Sequence, residues 1–293
     1  ALGAAKALGS GPAGLGVKLL DCIEQQSARL TQAGVAFGHG TDNAFDEAVW
    51  LALWRLGLPL DDLDSVAQRE LTLAEQARIE ALVEQRIATR KPAAYLTGEA
   101  WLQGVPFTID ERAIVPRSLI AELIADGTLD AWLSERTRSV LDLCCGNGSL
   151  AVLAALAWPE VHVDAADLSA DALAVARINV ERHGLEDRIT LLQGDGLAAV
   201  QGRRYDLIVC NPPYVNSASM AALPAEYRAE PTLALAGGAD GMDFIRTLLR
   251  DAAEHMTEQA VLVVEIGHEA AHFEAAFPQL EFAYLPTHDS DGQ

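Results

Sequence analysis

Hydrophobic and polar positions along this 293-residue chain follow two rhythms. From residue 22 to about 90 the apolar residues recur at helical spacing. Asp42 or Asn43 can cap a helix whose apolar face uses Phe45, Val49, Leu53, Trp54 and Leu56, and Gly57 can close it in a left-handed conformation. Thr72 and Glu75 form a capping box ahead of Ile79, Leu82, Val83 and Ile87, which predicts a second helix and, with the first, a small bundle. Between Ala93 and about Asp110, short apolar stretches are broken by Gly98, Gly104 and Pro106, the pattern of a hairpin or linker. After Arg138, β-branched runs at Ser139–Leu143, Val161–Ala166, Ile189–Gln193, Tyr205–Cys210 and Ala260–Glu265 alternate with helical patterns near Ser149–Ala157, Ser169–His183 and Met242–His255. Strands alternating with helices require right-handed crossovers and a mainly parallel sheet. The expected organisation is a flexible tail over residues 1–21, a helical domain over 22–92, a hairpin or linker over 93–118 and an α/β domain over 119–293.

Charge sharpens that division. The chain carries 42 acidic and 21 basic side chains, and residues 1–92 hold only 12 and 9 of them, so a net charge of −18 falls on residues 93–293. A field of this sign repels phosphate backbones and attracts cationic partners, which counts against direct nucleic-acid binding and admits a basic protein substrate. No apolar run approaches the roughly 18 residues of a membrane span. Cys22, Cys144, Cys145 and Cys210 show no disulfide framework, which suits a reducing cytoplasm.

The candidate chemistry lies at the carboxyl ends of the predicted strands. The first ends in Asp142-Leu143-Cys144-Cys145-Gly146-Asn147-Gly148, directly before a helix, where glycines let the backbone approach a ligand and free N–H groups face it. Gly146-x-Gly148-x-x-Ala151 also fits the dinucleotide fingerprint, so this turn alone admits NAD or S-adenosylmethionine. Asp167 follows the second strand, where a carboxylate can accept ribose hydroxyls or stabilise a helix start. Asp195, in Gln193-Gly194-Asp195-Gly196, can accept from an adenine amino group or serve a plain turn. Asn211-Pro212-Pro213-Tyr214 follows the fourth strand. Its prolines remove two donors and stiffen the chain. The Asn211 side-chain oxygen and the Pro212 carbonyl can hold both hydrogens of a conjugated amino group, turning its lone pair toward an electrophile, while Tyr214 stacks on the planar group.

That tetrapeptide behind an Asp-x-x-x-Gly-x-Gly strand end resembles the S-adenosylmethionine-dependent amino-methyltransferases. Three further stretches, Gly38-His39-Gly40-Thr41-Asp42-Asn43, Asp110 to Ser118 (Asp-Glu-Arg-Ala-Ile-Val-Pro-Arg-Ser) and Leu223 to Pro231 (Leu-Pro-Ala-Glu-Tyr-Arg-Ala-Glu-Pro), are similar to the PrmB family, which methylates a glutamine side-chain amide in large-subunit ribosomal protein number three. The sister PrmC family, acting on peptide release factors, usually has proline where Ser118 follows Arg117. The resemblance runs from about Cys22 to about Thr287. It implies a Rossmann-like class I methyltransferase sheet with an N-terminal helical domain that helps to choose the protein substrate. It also implies S-adenosylmethionine held by Asp142, Cys144, Cys145, Gly146, Asn147, Gly148, Asp167, Asp195 and Asn211. Catalysis falls on Asn211, Pro212, Pro213 and Tyr214, and the substrate lies near Asn211, Tyr214, Arg117 and residues 223–241. Two departures stand out: Cys145 narrows the cofactor loop, and the family's last strand, expected after the Asp291-Gly292 turn, is missing at Gln293.

Other readings remain in view. His268-Glu269-Ala270-Ala271-His272 matches a zinc protease pattern but lacks a clear third ligand, so no metal is expected. An adenine or cytosine amino-methyltransferase can use the same tetrapeptide, although the charge opposes it. A nicotinamide dehydrogenase gives Asn211–Tyr214 no task, and an inactive binding protein is the non-enzymatic alternative.

Overall fold

The computed structural model describes residues 15–288, in two compact units divided after Ala93. The first contains β1 (Leu15–Lys18), α1 (Leu19–Ala33), α2 (Ala44–Leu56), α3 (Leu63–Val66), β2 (Glu70–Thr72) and α4 (Leu73–Thr89). Asn43, rather than Asp42, caps α2: its side-chain oxygen accepts from the Asp46 N–H at 2.8 Å, and Gly57 closes the helix at φ 68°. The Thr72–Glu75 capping box is present.

The buried face of α2 differs from the expected one. Ala44, Glu47, Ala48, Leu51, Ala52 and Leu53 turn inward, and Phe45 is exposed. Alanines read as weakly apolar in a pattern, yet they line the face that meets α1 and α4. Glu47 is buried because Arg86 of α4 meets it at 3.1 Å. The Gly38–Asn43 loop closes over this ion pair: the Thr41 hydroxyl donates to Glu47 at 3.3 Å, and Arg86 donates to the Ala36 carbonyl at 2.7 Å. The expected tail also needs correction. Residues 1–14 lie outside the described residues, but Leu15–Lys18 pairs antiparallel with β2, and α1 already starts at Leu19. Leu19, Cys22 and Ile23 are fully buried, so this segment belongs to the core.

The second unit continues with α5 (Ala93–Thr97), the antiparallel hairpin β3 (Glu99–Leu102) and β4 (Val105–Thr108), and α6 (Ile120–Ala125). Then come β5 (Ser139–Leu143), α7 (Ser149–Ala157), β6 (His162–Asp167), α8 (Ala170–Arg182), β7 (Ile189–Gln193), β8 (Tyr205–Cys210), α9 (Ser217–Ala222), α10 (Ala225–Arg228), α11 (Asp243–Asp251), β9 (Met256–Val264) and α12 (Ala270–Ala276). Five parallel strands form one sheet in the order β7-β6-β5-β8-β9. Both faces are covered, so β5 is buried at four of its five positions, the composition a doubly covered parallel strand requires. The chain enters at the centre, moves outward through β6 and β7, and crosses back to β8. That reversal opens a crevice between β5 and β8 at the strands' carboxyl ends.

β9 begins four residues before the expected Ala260, because polar Thr257, Glu258 and Gln259 conceal the strand; Thr257 bonds Asp206 across to β8 at 2.9 Å. The single helix expected up to His255 is instead α11 followed by a short 3-10 turn. The Asp291–Gly292 turn, where the family's last strand was expected to follow, lies outside the described residues. Among the described residues no helix is long and apolar enough to cross a membrane.

Candidate functional site

The register aligns the carboxyl ends of the strands, pairing Leu143 with both Ala166 and Cys210, and Cys210 with Val264. Residues immediately beyond these ends therefore converge. A cleft of about 430 Å³ opens there, lined by Cys144, Gly146, Asp167, Asp195 and Asn211 together with Phe244 and other residues. A much smaller cavity shares Ile114, Cys144, Gly146 and Asn211 with it and adds Arg117, Ser118, Asp142, Cys145 and Asn147.

The loop after β5 is shaped by backbone geometry. Cys144 takes φ +62°, unusual for a residue with a side chain, and Cys145 donates to the Ala166 carbonyl at 3.0 Å. Gly148 lines neither cavity: at φ +81° it lets α7 start close against α8, where an added Cβ would lie 3.1 Å from that of Ala176. Asp167 ties this loop to the start of α8. Its carboxylate accepts from the Gly146 N–H and the Ser169 N–H, each at 2.9 Å. Asn179, buried in the middle of α8, donates to the Asn147 and Thr108 carbonyls at 2.9 Å each, so the loop is also pinned to β4. Sequence reasoning missed Asn179, although a polar residue on the apolar face of a predicted helix was a signal.

Electrostatics in the loop favour a cationic guest. Asp142 is fully buried and accepts one bond, from the Ala151 N–H at 3.0 Å; burial, aggravated by nearby Asp167, pushes its pKa up to about 8. Burial also raises that of Asp167, despite its backbone donors. The Cys144 thiol is raised by its contact with Cys210 and by burial, so it stays protonated. Asn147 contributes a buried Nδ2 that has no hydrogen-bond partner among the described residues. Two desolvated carboxyl groups, which a bound cation would help to ionise, and a donor that no other described residue engages fit a ligand bearing an ammonium, a sulfonium and a carboxylate, as S-adenosylmethionine does.

The tetrapeptide after β8 divides in two. Asn211 lines both cavities, and among the described residues neither its amide nor the Pro212 carbonyl is engaged in a hydrogen bond. Pro213 lines the cleft, whereas Pro212 is buried and lines neither cavity. Tyr214 lines neither cavity; its hydroxyl donates to Glu265 at 3.1 Å, and its ring lies against Gly267. Arg117 lines the smaller cavity, but its guanidinium forks onto Glu230 at 2.7 and 3.0 Å and lies over the Tyr227 ring. Burial works against the Arg117 charge, yet the Glu230 carboxylate outweighs it and keeps the group firmly protonated. Glu230 also accepts from the Val115 N–H at 2.9 Å, joining the Asp110–Ser118 and Leu223–Pro231 stretches. Asp195 sits exposed on the cleft rim. Glu269, between His268 and His272, accepts from the Asn216 amide at 2.8 Å and pairs with His272, and among the described residues no group of three or more His, Cys, Asp or Glu side chains is placed to hold a metal.

Comparison with known proteins agrees with this architecture. Residues 125–226 match the family profile of the methyltransferase small domain, and residues 21–98 match that of the PrmC N-terminal domain. The ribosomal protein uL3 glutamine methyltransferase of Bordetella pertussis is 53% identical over 277 residues, covering 94% of this chain and 93% of the relative. The protein of the same name in Burkholderia pseudomallei is also 53% identical, with 93% and 91% covered, and that of Neisseria gonorrhoeae is 48% identical, with 93% and 91% covered. Built on a class I S-adenosylmethionine-dependent fold and this similar to them along nearly its whole length, the chain belongs to the family of ribosomal protein uL3 glutamine methyltransferases.

Proposed function

We propose that the chain methylates the side-chain amide nitrogen of a glutamine in ribosomal protein uL3, using S-adenosylmethionine. The observation that carries this reading is the uncommitted amide of Asn211 at the junction of the two cavities. Asp142, Asp167, Asn147 and the Cys144–Gly148 loop would hold the cofactor, with Asp195 at the adenine end. The cofactor, when bound, supplies an electrophilic methyl group on a sulfonium. An amide nitrogen is poorly nucleophilic because its lone pair is delocalised into the carbonyl. The Asn211 side-chain oxygen and the Pro212 carbonyl accept its two hydrogens and fix its plane, so the lone pair faces the methyl. The nitrogen would gain the methyl as its carbon–sulfur bond breaks, with S-adenosylhomocysteine as the leaving group, and would release one proton to water. Positioning and electrostatics supply the rate, without a strong base.

The helical unit would help to recognise the protein substrate, and Arg117 would shape the entrance through Glu230 and Tyr227. An acidic catalytic unit suits a basic protein met in the cytoplasm without direct nucleic-acid contact. Asn211→Ala should abolish transfer from radiolabelled cofactor to uL3 while leaving cofactor affinity within a few-fold. Retained turnover would overturn the mechanism.

A further inference from the structure

The turn after β9 directs its side chains to Tyr214 and Asn216 of the segment that follows β8. Glu265 directly follows β9, and its N–H donates to the Cys210 carbonyl at 3.0 Å, which sets it beside the start of the Asn211–Tyr214 segment. One carboxylate oxygen accepts from the Ser118 hydroxyl at 2.6 Å and the Leu119 N–H at 3.0 Å; the other accepts the Tyr214 hydroxyl at 3.1 Å. Two residues on, Gly267 takes φ +55°, and a Cβ there would lie 2.4 Å from the Tyr214 ring. The ring is therefore pressed on the turn's backbone. Two residues further, Glu269 accepts from the Asn216 amide at 2.8 Å. Glu265, Gly267 and Glu269 thus grip positions 214 and 216 of the segment that carries Asn211. Burial holds the Glu265 carboxyl above its ordinary range, and the Glu265–Tyr214 contact is part-buried, so water screens it less than a contact at the surface.

We infer that the Glu265–Gly267–Glu269 turn is a positioning clasp for the tetrapeptide, and that Glu265 acts on turnover through Tyr214. Glu265 lines neither cavity. Its influence passes through the ring whose orientation fixes the path of Asn211 and Pro212, and a displacement of about 1 Å in such a constellation costs up to about 100-fold in rate. This inference rests on the reading of Asn211–Tyr214 as the catalytic segment.

The test is a double-mutant cycle on the full chain, with uL3 and radiolabelled S-adenosylmethionine. Glu265→Gln and Tyr214→Phe should each lower kcat by about 10- to 100-fold, with cofactor Kd changed less than threefold. The double variant should be no slower than the slower single one, because both remove the same contact. Gly267→Ala, which drives a Cβ into the ring, provides a second route to the same loss if Glu265→Gln folds poorly. Full activity in the single variants, multiplicative losses in the double, or a parallel fall in cofactor affinity would each overturn the clasp. An active Asn211→Ala enzyme would instead overturn the catalytic reading beneath it.

Discussion

Replacing Asp167 with asparagine tests the cofactor site with little change of shape. The carboxylate accepts from two backbone N–H groups, of Gly146 and Ser169. Asparagine keeps one acceptor oxygen and presents an NH₂ to the other donor, so one charge-assisted bond of about 1.5–3 kcal/mol is lost. Burial penalises the charged form of Asp167 and so raises its pKa, and removing the charge relieves that desolvation. The two effects oppose each other, so the apo protein should melt within a few degrees of wild type. Cofactor binding has no such offset. If Asp167 accepts a ribose hydroxyl, its loss removes a further bond of about 1.5–3 kcal/mol, which at 1.4 kcal/mol per decade weakens binding by about 10- to 150-fold. Titration calorimetry with S-adenosylmethionine, paired with a thermal melt, reads both. An unchanged affinity in a folded variant would show that the ribose lies elsewhere, and a collapsed melt would show that Asp167 mainly builds the loop.

Three further outcomes are expected. Asp142 is held up to about 8 from an ordinary 3.8, so the folded apo protein keeps a proton that the unfolded chain releases across that window. Apo stability should fall as pH rises from about 4 to 8, and Asp142→Asn should flatten that fall while losing cofactor affinity; a parallel pH profile for the variant would contradict this. Arg86→Met should strip Glu47 of its buried partner and cost about 3–5 kcal/mol in denaturant unfolding, with Glu47→Leu partly restoring stability in the double variant; equal loss in single and double would refute the ion-pair argument. Gly148→Ala meets both a left-handed backbone cost of about 1–2 kcal/mol and contact with Ala176, so its melting temperature should drop by several degrees; an unchanged melt would show that α7 and α8 can part freely.

The sequence made the site's addresses legible more readily than its wiring. Parallel strands announce themselves through β-branched runs, and their carboxyl ends place Asp142, Asp167 and Asn211 in one crevice without further information. Side-chain partnerships between distant segments leave no such trace. Glu230 and Arg117 are 113 residues apart and meet only because the sheet brings their loops together. Glu265 was visible only as the end of an apolar run, and Glu269 only as part of a His-Glu-x-x-His pattern; in the structure Glu265 accepts from Tyr214 and Glu269 from Asn216. In the helical unit, counting large apolar residues misassigned the buried face of α2, since alanines and the Glu47–Arg86 pair form it.

The central claim is most directly tested by incubating the full chain with radiolabelled S-adenosylmethionine and, separately, uL3, a peptide release factor and DNA, then identifying the labelled residue by mass spectrometry. The account predicts label on one glutamine side-chain amide of uL3, lost in Asn211→Ala. Label on the release factor or DNA with none on uL3, or on a residue other than glutamine, would contradict it.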